Sequence, residues 1–351
     1  MINRIKIGKR YVGEGEPVLM VAEVSCNHLQ KKEYAIRLIE EAKNAGVDAV
    51  KFQTYTPDTM TIDAKNEHFM IKGSLWDGRT LYDLYREAYT PWEWFPELKD
   101  RTEQEGMIFL SSPFDDTAVD FLEKLGTPAY KVASFEINHI PLLKKIARTK
   151  KPVIFSTGLA TLDDIQLAIE TIKNEGNEQI GVLKCTSAYP APVSEMNLRT
   201  IDEIRKRFGV VVGLSDHSMG IAAPATAVAF GASIIEKHII LDRKMGGPDA
   251  AFSLEPTEFK QLVDAVREVE QALGKLSFEL TEKAKEHRIF MRSIFVVKDI
   301  KKGEIITPEN IKVIRPNKGM HPKYYEGILG KPAKKDIKRG TPLSKEMVNG
   351  E

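Results

Sequence analysis

MIFLSSPFDDTAVDFLEKLGTPAYKVAS, residues 107–134, contains one complete structural repeat. Met107–Ser112 is an apolar run too short for a helix, and it closes on two serines. Asp115–Leu125 carries apolar residues at three- and four-residue spacing and stops at Gly126, a residue suited to the backbone that ends helices. Ala129–Ser134 is a second apolar run. Strand, helix and strand in this order make a parallel crossover unit, because parallel neighbours need a long connection.

The same alternation extends both ways. Further strand-like runs are Val18–Ser25, Ala49–Thr54, Val153–Ser156, Ile180–Lys184, Val210–Leu214 and Ile234–Ile239. Helical patterns lie between most of them, at Glu33–Ala45, Leu162–Asn174, Leu198–Phe208 and Ala222–Phe230, and Thr257–Leu273 follows the last run. The runs are continuously apolar, as strands covered on both faces must be. Eight strand–crossover units within residues 1–274 have the count and size of a TIM (β/α)8 barrel. A doubly wound open sheet is the competitor, but no G-x-G-x-x-G follows the first strand. Between Thr54 and Pro91 some 36 residues show no clear periodicity. Loops of that length are usually functional, so the segment is read as an insertion over the barrel mouth. After Gly274 a polar stretch, 275–290, reads as a linker containing a helix. Residues 291–351 read as a small β-rich domain, with short strands expected at Ser293–Val297, Lys301–Gly303, Ile311–Arg315 and Asp336–Gly340.

Composition narrows the function. The net charge is +1, so no global field favours nucleic acid or an anionic membrane. An anionic ligand must be held by a local cluster. Cys26 and Cys185 are the only cysteines, which implies no disulfide framework and suits a reducing compartment. MINRIK (1–6) has no apolar signal-peptide core, and no apolar run reaches a bilayer's thickness. The expected location is the cytoplasm.

In a parallel barrel, chemistry sits at the C-terminal strand ends. Those ends carry Glu23, Lys51 with Gln53, Ser112, Lys131 with Ser134, Ser156, Lys184 with Ser187 and Tyr189, Ser215 with His217, and Glu236 with His238. A strand-end serine is usually a turn former, and a lone lysine usually snorkels. Lysines inside apolar runs (Lys51, Lys131, Lys184 and Lys237) are costly to bury unpaired, so their recurrence carries more weight than any one of them. Lys51 and Lys131 with Ser112, Ser134, Ser156 and Ser215 make an anion-binding bowl for a small ligand bearing phosphate and carboxylate. A single core histidine is usually just a satisfied hydrogen-bonder. His217 and His238 end neighbouring strands, each beside a carboxylate (Asp216, Glu236), and suit a divalent cation such as Mn2+, Co2+ or Zn2+ with positions left open.

These residues resemble the sialic acid synthase family. The resemblance runs through AEVSCNH (22–28), KFQTYTPD (51–58), SSPF (111–114), YKVAS (130–134), STGLAT (156–161), KCTSAYP (184–190), GLSDHS (213–218), IEKH (235–238) and GPDAAFSLEP (247–256). RSIFVVKDIKKGE (292–304), IRPNKGMHP (314–322) and LGKPAKKDIKRG (329–340) resemble the family's C-terminal antifreeze-like (SAF, β-clip) domain. IKGSLWDGRTLYDLYREAYTPWEW (71–94) looks like the pseudaminic branch; the legionaminic and N-acetylneuraminate branches are the alternatives. The resemblance implies a phosphoenolpyruvate-dependent transferase that condenses this compound with an amino-sugar. It implies a divalent metal on His217 and His238, Mn2+ first, with Mg2+ or Co2+ possible. Lys51, Ser112, Lys131, Ser134, Ser156, Lys184 and Ser215 fall at phosphoenolpyruvate positions, Ser112 where relatives often have threonine. Glu23 and Glu236 match carboxylates near the sugar and metal; Gln53, Ser187, Tyr189 and Asp249 match the substrate pocket. Arg315 matches an arginine that reaches the partner's active site, which implies a domain-swapped homodimer. A sister enzyme using a phosphorylated sugar, or a carbohydrate-binding protein without activity, would be the rival readings.

Overall fold

The computed structural model describes residues 4–73 and 75–350; Met1–Asn3, inside the MINRIK segment, and Ser74, inside the 71–94 segment, lie outside them. The chain divides into two compact units, Met1–Gly274 and Lys275–Glu351.

The first unit opens with an antiparallel hairpin, β1 (Arg4–Ile7) and β2 (Arg10–Gly13). Eight parallel strands follow: β3 (Leu19–Glu23), β4 (Ala49–Thr54), β5 (Ile108–Pro113), β6 (Tyr130–Val132), β7 (Val153–Ser156), β8 (Ile180–Cys185), β9 (Val211–Asp216) and β10 (Ile234–His238). β10 pairs with β3 and closes the barrel. Helices α1 (Lys32–Asn44), α2 (Pro57–Met60), α3 (Leu81–Ala88), α4 (Phe95–Gln104), α5 (Asp116–Leu125), α6 (Ile140–Arg148), α7 (Leu162–Asn174), α8 (Thr200–Phe208), α9 (Ala222–Ala229) and α10 (Pro256–Leu273) fill the connections and follow the last strand.

Alternation along each strand builds two cores. Inward residues Leu19, Val21, Ala49, Leu110, Ile154, Leu183, Val211 and Ile234 form the barrel interior, joined by Ile5, Ile7 and Val12 of the hairpin. Outward residues such as Met20, Val50, Phe109 and Val212 join the helices in a larger cluster. Local signals set the helix ends: Asp115 caps α5 by accepting from the Thr117 and Ala118 amides, and Gly126 ends it with a left-handed φ of 79°.

The second unit holds α11 (Glu282–His287), an antiparallel pair of β11 (Ser293–Val296) and β12 (Ile311–Ile314), and the single-turn α12 (Tyr325–Ile328). Its own core includes Ile294, Val296, Ile306, Ile311, Ile337 and Leu343. Among the described residues no helix is long and apolar enough to cross a membrane.

Three expectations need correction. The expected strands at Lys301–Gly303 and Asp336–Gly340 are absent; the isolated bridge Ile300–Ile337 stands there, because tight turns leave no room for a ladder. Ser134 does not end a strand but opens a one-turn 3-10 helix, Ser134–Glu136. The 55–90 insertion is not aperiodic: it contains α2 and α3.

Candidate active site

A cavity of about 450 Å3 opens at the C-terminal ends of the barrel strands. Its floor is polar. Lys51 Nζ lies 2.5 Å from Glu23 Oε2 and 3.8 Å from Glu236 Oε1; Lys131 Nζ lies 3.6 Å from the same Glu236 oxygen. Lys51 donates to Ser112 Oγ (3.2 Å), Lys131 to Ser156 Oγ (2.6 Å), and Ser215 Oγ to Glu236 Oε1 (3.0 Å). Gln53 donates to Glu23 Oε1 (3.1 Å) and to Ser25 Oγ (3.0 Å). Ser134 Oγ accepts from the Gly158 amide at 3.0 Å. The period of two delivers these groups: Lys51 and Gln53 on β4, and Glu236 and His238 on β10, share the inner face of their strands.

The electrostatics follow from burial and mutual pairing. Burial lowers the Lys51 pKa, but the Glu23 and Glu236 carboxylates outweigh it, and Lys51 ends above the ordinary lysine value. For Lys131 burial wins over Glu236, and its pKa falls. Burial raises Glu236, yet Lys131 and Lys51 outweigh it and hold the carboxylate below its usual range. The floor is thus a preassembled set of ammonium, hydroxyl and carboxylate groups that needs no reorganisation to meet a charged ligand.

His217 and His238 face the same cavity with ring centroids 5.4 Å apart. His217 Nδ1 lies 3.2 Å from the Thr186 carbonyl oxygen, so Nδ1 carries the proton that it donates and Nε2 is the nitrogen left for a ligand. His238 Nδ1 is buried without a hydrogen bond, with Asp249 Oδ2 at 3.5 Å. Burial and the neighbouring His217 hold His238 well below the ordinary histidine pKa, hence neutral. Burial lowers the His217 pKa, but Cys185, the Thr186 carbonyl and Asp216 outweigh it and His217 ends above the ordinary histidine value, so it would give up a proton to a metal. Two imidazoles side by side fit a borderline divalent cation, and no larger group of His, Cys, Asp or Glu ligands forms among the described residues. Outside the barrel, Lys237 is fully buried against Asp216 (2.6 Å), also donates to the Ser218 carbonyl, and Asp216 accepts from the Ser218 amide. That lock brackets His217 and sits next to His238.

Most of the expected site residues meet here: Glu23, Lys51, Gln53, Ser112, Lys131, Ser134, Ser156, Tyr189, Ser215, His217, Glu236, His238 and Asp249 all line the cavity. Lys184 and Ser187 are not in its lining: Lys184 Nζ donates back to the Cys185 carbonyl at 2.5 Å, and the Ser187 hydroxyl packs against Gly158. Arg315 is exposed at the end of β12 in the second unit.

The sequence reading missed several lining residues. Glu136 is one; its Oε2 is buried without a hydrogen-bond partner, and burial pushes its pKa up to about 7. Its signal was a carboxylate two residues beyond Ser134. Ser25 and Lys72 are two more, and most of the others are apolar or aromatic, such as Met60, Ile71, Leu81, Leu84, Tyr85 and Ala88 from the insertion, with Phe114 and Phe252.

Comparison with known proteins agrees with this architecture. The chain is 48% identical to the pseudaminic acid synthase of Campylobacter jejuni subsp. jejuni serotype O:23/36 (strain 81-176), over 93% of this chain and 95% of that one. It is 45% identical to the pseudaminic acid synthase of Helicobacter pylori (strain 26695), over 95% and 98%. Among solved structures it resembles the N-acetylneuraminic acid (sialic acid) synthetase of Leptospira borgpetersenii serovar Hardjo-bovis in complex with citrate, with TM-score 0.74 and 31% identity, covering 82% of this chain and 95% of that one. Residues 38–277 match the NeuB family and residues 291–349 the SAF domain. With a closed eightfold barrel, a polar floor at its C-terminal rim and these matches, the chain belongs to the NeuB family and carries a C-terminal SAF domain.

Proposed function

We propose that the chain is a pseudaminic acid synthase: it condenses phosphoenolpyruvate with 2,4-diacetamido-2,4,6-trideoxy-β-L-altropyranose and water, giving pseudaminic acid and phosphate. The carrying observation is the 48% identity to a pseudaminic acid synthase along nearly the whole of both chains. The floor is chemically suited to the reaction. Lys51 and Lys131, with the Ser112, Ser156 and Ser215 hydroxyls, bind the phosphate and carboxylate of phosphoenolpyruvate. Its carbon 3 forms the new bond to the sugar's aldehyde carbon, water adds at carbon 2, and the tetrahedral adduct expels phosphate. Glu23, fixed by Lys51 and Gln53, orients a sugar hydroxyl or holds a proton there, and Asp249 and Tyr189 position the sugar. His217 and His238 would hold a divalent cation, Mn2+ first and Mg2+ or Co2+ next, which supplies Lewis acidity toward the aldehyde oxygen.

Two further features extend this reading. Leu276 and Phe278 of the 275–290 segment are 95% and 96% exposed, and Phe290 is 58% exposed, which supports a second copy covering them and Arg315 serving the partner's cavity in a swapped homodimer. Both thiols are free and buried, which supports the cytoplasm.

The test is phosphate release from phosphoenolpyruvate with Mn2+, comparing N-acetylmannosamine with the diacetamido-trideoxy altrose and mannose sugars. Release with the altrose sugar alone is expected. Release with another sugar alone moves the chain to a different branch, and release with none sinks the synthase reading.

A further inference from the structure

Helix α3 presents an apolar stripe at i, i+3, i+4 and i+7: Leu81, Leu84, Tyr85 and Ala88. Such a stripe ordinarily packs on a core. Here all four residues line the cavity, together with Ile71 from the loop before the helix. The opposite face is polar and satisfied: Tyr82 donates to Asp58 (3.0 Å), and Arg86 pairs with Asp83 (2.7 Å).

The wall is also fixed in place. Thr80 caps α3 through the Asp83 amide (3.0 Å). Backbone bonds from Ile71 to Arg79 (2.9 Å) and from Leu81 to Phe69 (2.9 Å) fold the preceding loop back on the helix. Trp76 Nε1 donates to the Pro248 carbonyl (3.2 Å), next to Asp249 of the floor. The cavity therefore has a charged floor and, apart from Lys72 and the Tyr85 hydroxyl, an apolar wall. A sugar hydroxyl against the aliphatic part of that wall, Ile71, Leu81, Leu84 and Ala88, would lose water and find no partner on those side chains, whereas a methyl group would be taken out of water.

We propose that the α3 face with Ile71 is a recognition subsite for the non-polar substituents of the amino-sugar, the 6-deoxy methyl and an acetamido methyl, and that it selects against sugars hydroxylated at carbon 6. The inference rests on the synthase reading above. It also orients the substrate: in the open-chain sugar carbon 6 lies at the far end from the aldehyde, so a methyl on the wall leaves the aldehyde for the floor.

The test uses the full-length enzyme with Mn2+ and measures phosphate release with the diacetamido-trideoxy altrose sugar and with its 6-hydroxy counterpart. Wild-type kcat/KM should fall on the order of tenfold to a hundredfold with the 6-hydroxy sugar, the range set by one unpaired buried hydroxyl. Leu81→Ser and Ile71→Ser, both at half-buried positions that tolerate change, should each raise the KM for the deoxy sugar by about tenfold. They should leave the KM for phosphoenolpyruvate unchanged and narrow the gap between the two sugars. Arg86→Ala, on the outer face of the same helix, should change none of these. Unchanged sugar KM and unchanged selectivity in both serine variants, with native circular dichroism, would overturn the subsite while leaving the synthase intact. Equal use of the two sugars by the wild type would overturn it as well. Failure of the wild type with every sugar would instead overturn the synthase reading, and the subsite with it.

Discussion

Glu23 and Lys237 illustrate two fates of a buried charge. Glu23 faces the cavity with one oxygen on Lys51 and the other on Gln53, so it is held in place at the cavity floor. Glu23→Gln keeps the shape and removes the charge. We expect kcat to fall on the order of a hundredfold, with phosphoenolpyruvate affinity by calorimetry nearly unchanged. Near-wild-type turnover would remove Glu23 from the chemistry. Lys237 points the other way, into the layer between barrel and helices, and is compensated chiefly by Asp216 and the Ser218 carbonyl. Lys237→Met strands the Asp216 carboxylate in that layer and should cost about 3–5 kcal/mol of barrel stability in urea unfolding. Sequence reading singled out Lys237 as a lysine in an apolar run, yet its partner was invisible. Asp216 is twenty-one positions away and meets it only because β9 and β10 are neighbours.

At the element scale, the loop after β3 contains a second buried titratable group. His28 is fully buried; Nε2 sits 3.0 Å from Thr90 Oγ1 and Nδ1 accepts from the Gln30 amide. Burial lowers its pKa to about 4, against about 6.5 in the unfolded chain. Between those values the unfolded state binds the proton and the folded state does not, so stability is full above pH 6.5 and declines as pH falls toward 4. The barrel's urea transition should lose about 2 kcal/mol from this group by pH 5, and His28→Asn should flatten that slope. The eight barrel strands were legible because each is a continuous apolar run ended by polar residues, a pattern that double-sided burial imposes. Helix α3 was not: eight residues cover little more than two turns, and the outward Tyr82 and Arg86 are as bulky as the residues facing in. The SAF strands were over-read because turn-rich segments resemble short strands until a partner ladder is required.

At the scale of the whole molecule, the floor of the site was readable because all of its groups come from one topological location, the strand ends. The wall was not, since it depends on how the insertion folds over them. Arg315 stands apart from that floor, exposed at the end of β12 in the second unit, and its proposed role in the partner's cavity rests on the family resemblance. We expect Arg315→Ala and His238→Ala each to be inactive alone and to recover partial activity when unfolded and refolded together. Recovery requires the arginine to act across subunits, and its absence would confine Arg315 to its own chain or to no catalytic role.

The pairing of β10 with β3 joins residues 234–238 to 19–23. On a translating ribosome, at roughly 5–20 residues per second, the first strand therefore waits on the order of ten to forty seconds for its final neighbour. Throughout that interval β3 remains an open edge of the nascent sheet, and the hairpin whose Ile5, Ile7 and Val12 fill the barrel interior has no closed barrel to fill. The active-site floor, which draws on both β3 and β10, can exist only after that last strand docks, so ligand binding reports on completed synthesis of the barrel rather than on any fragment of it.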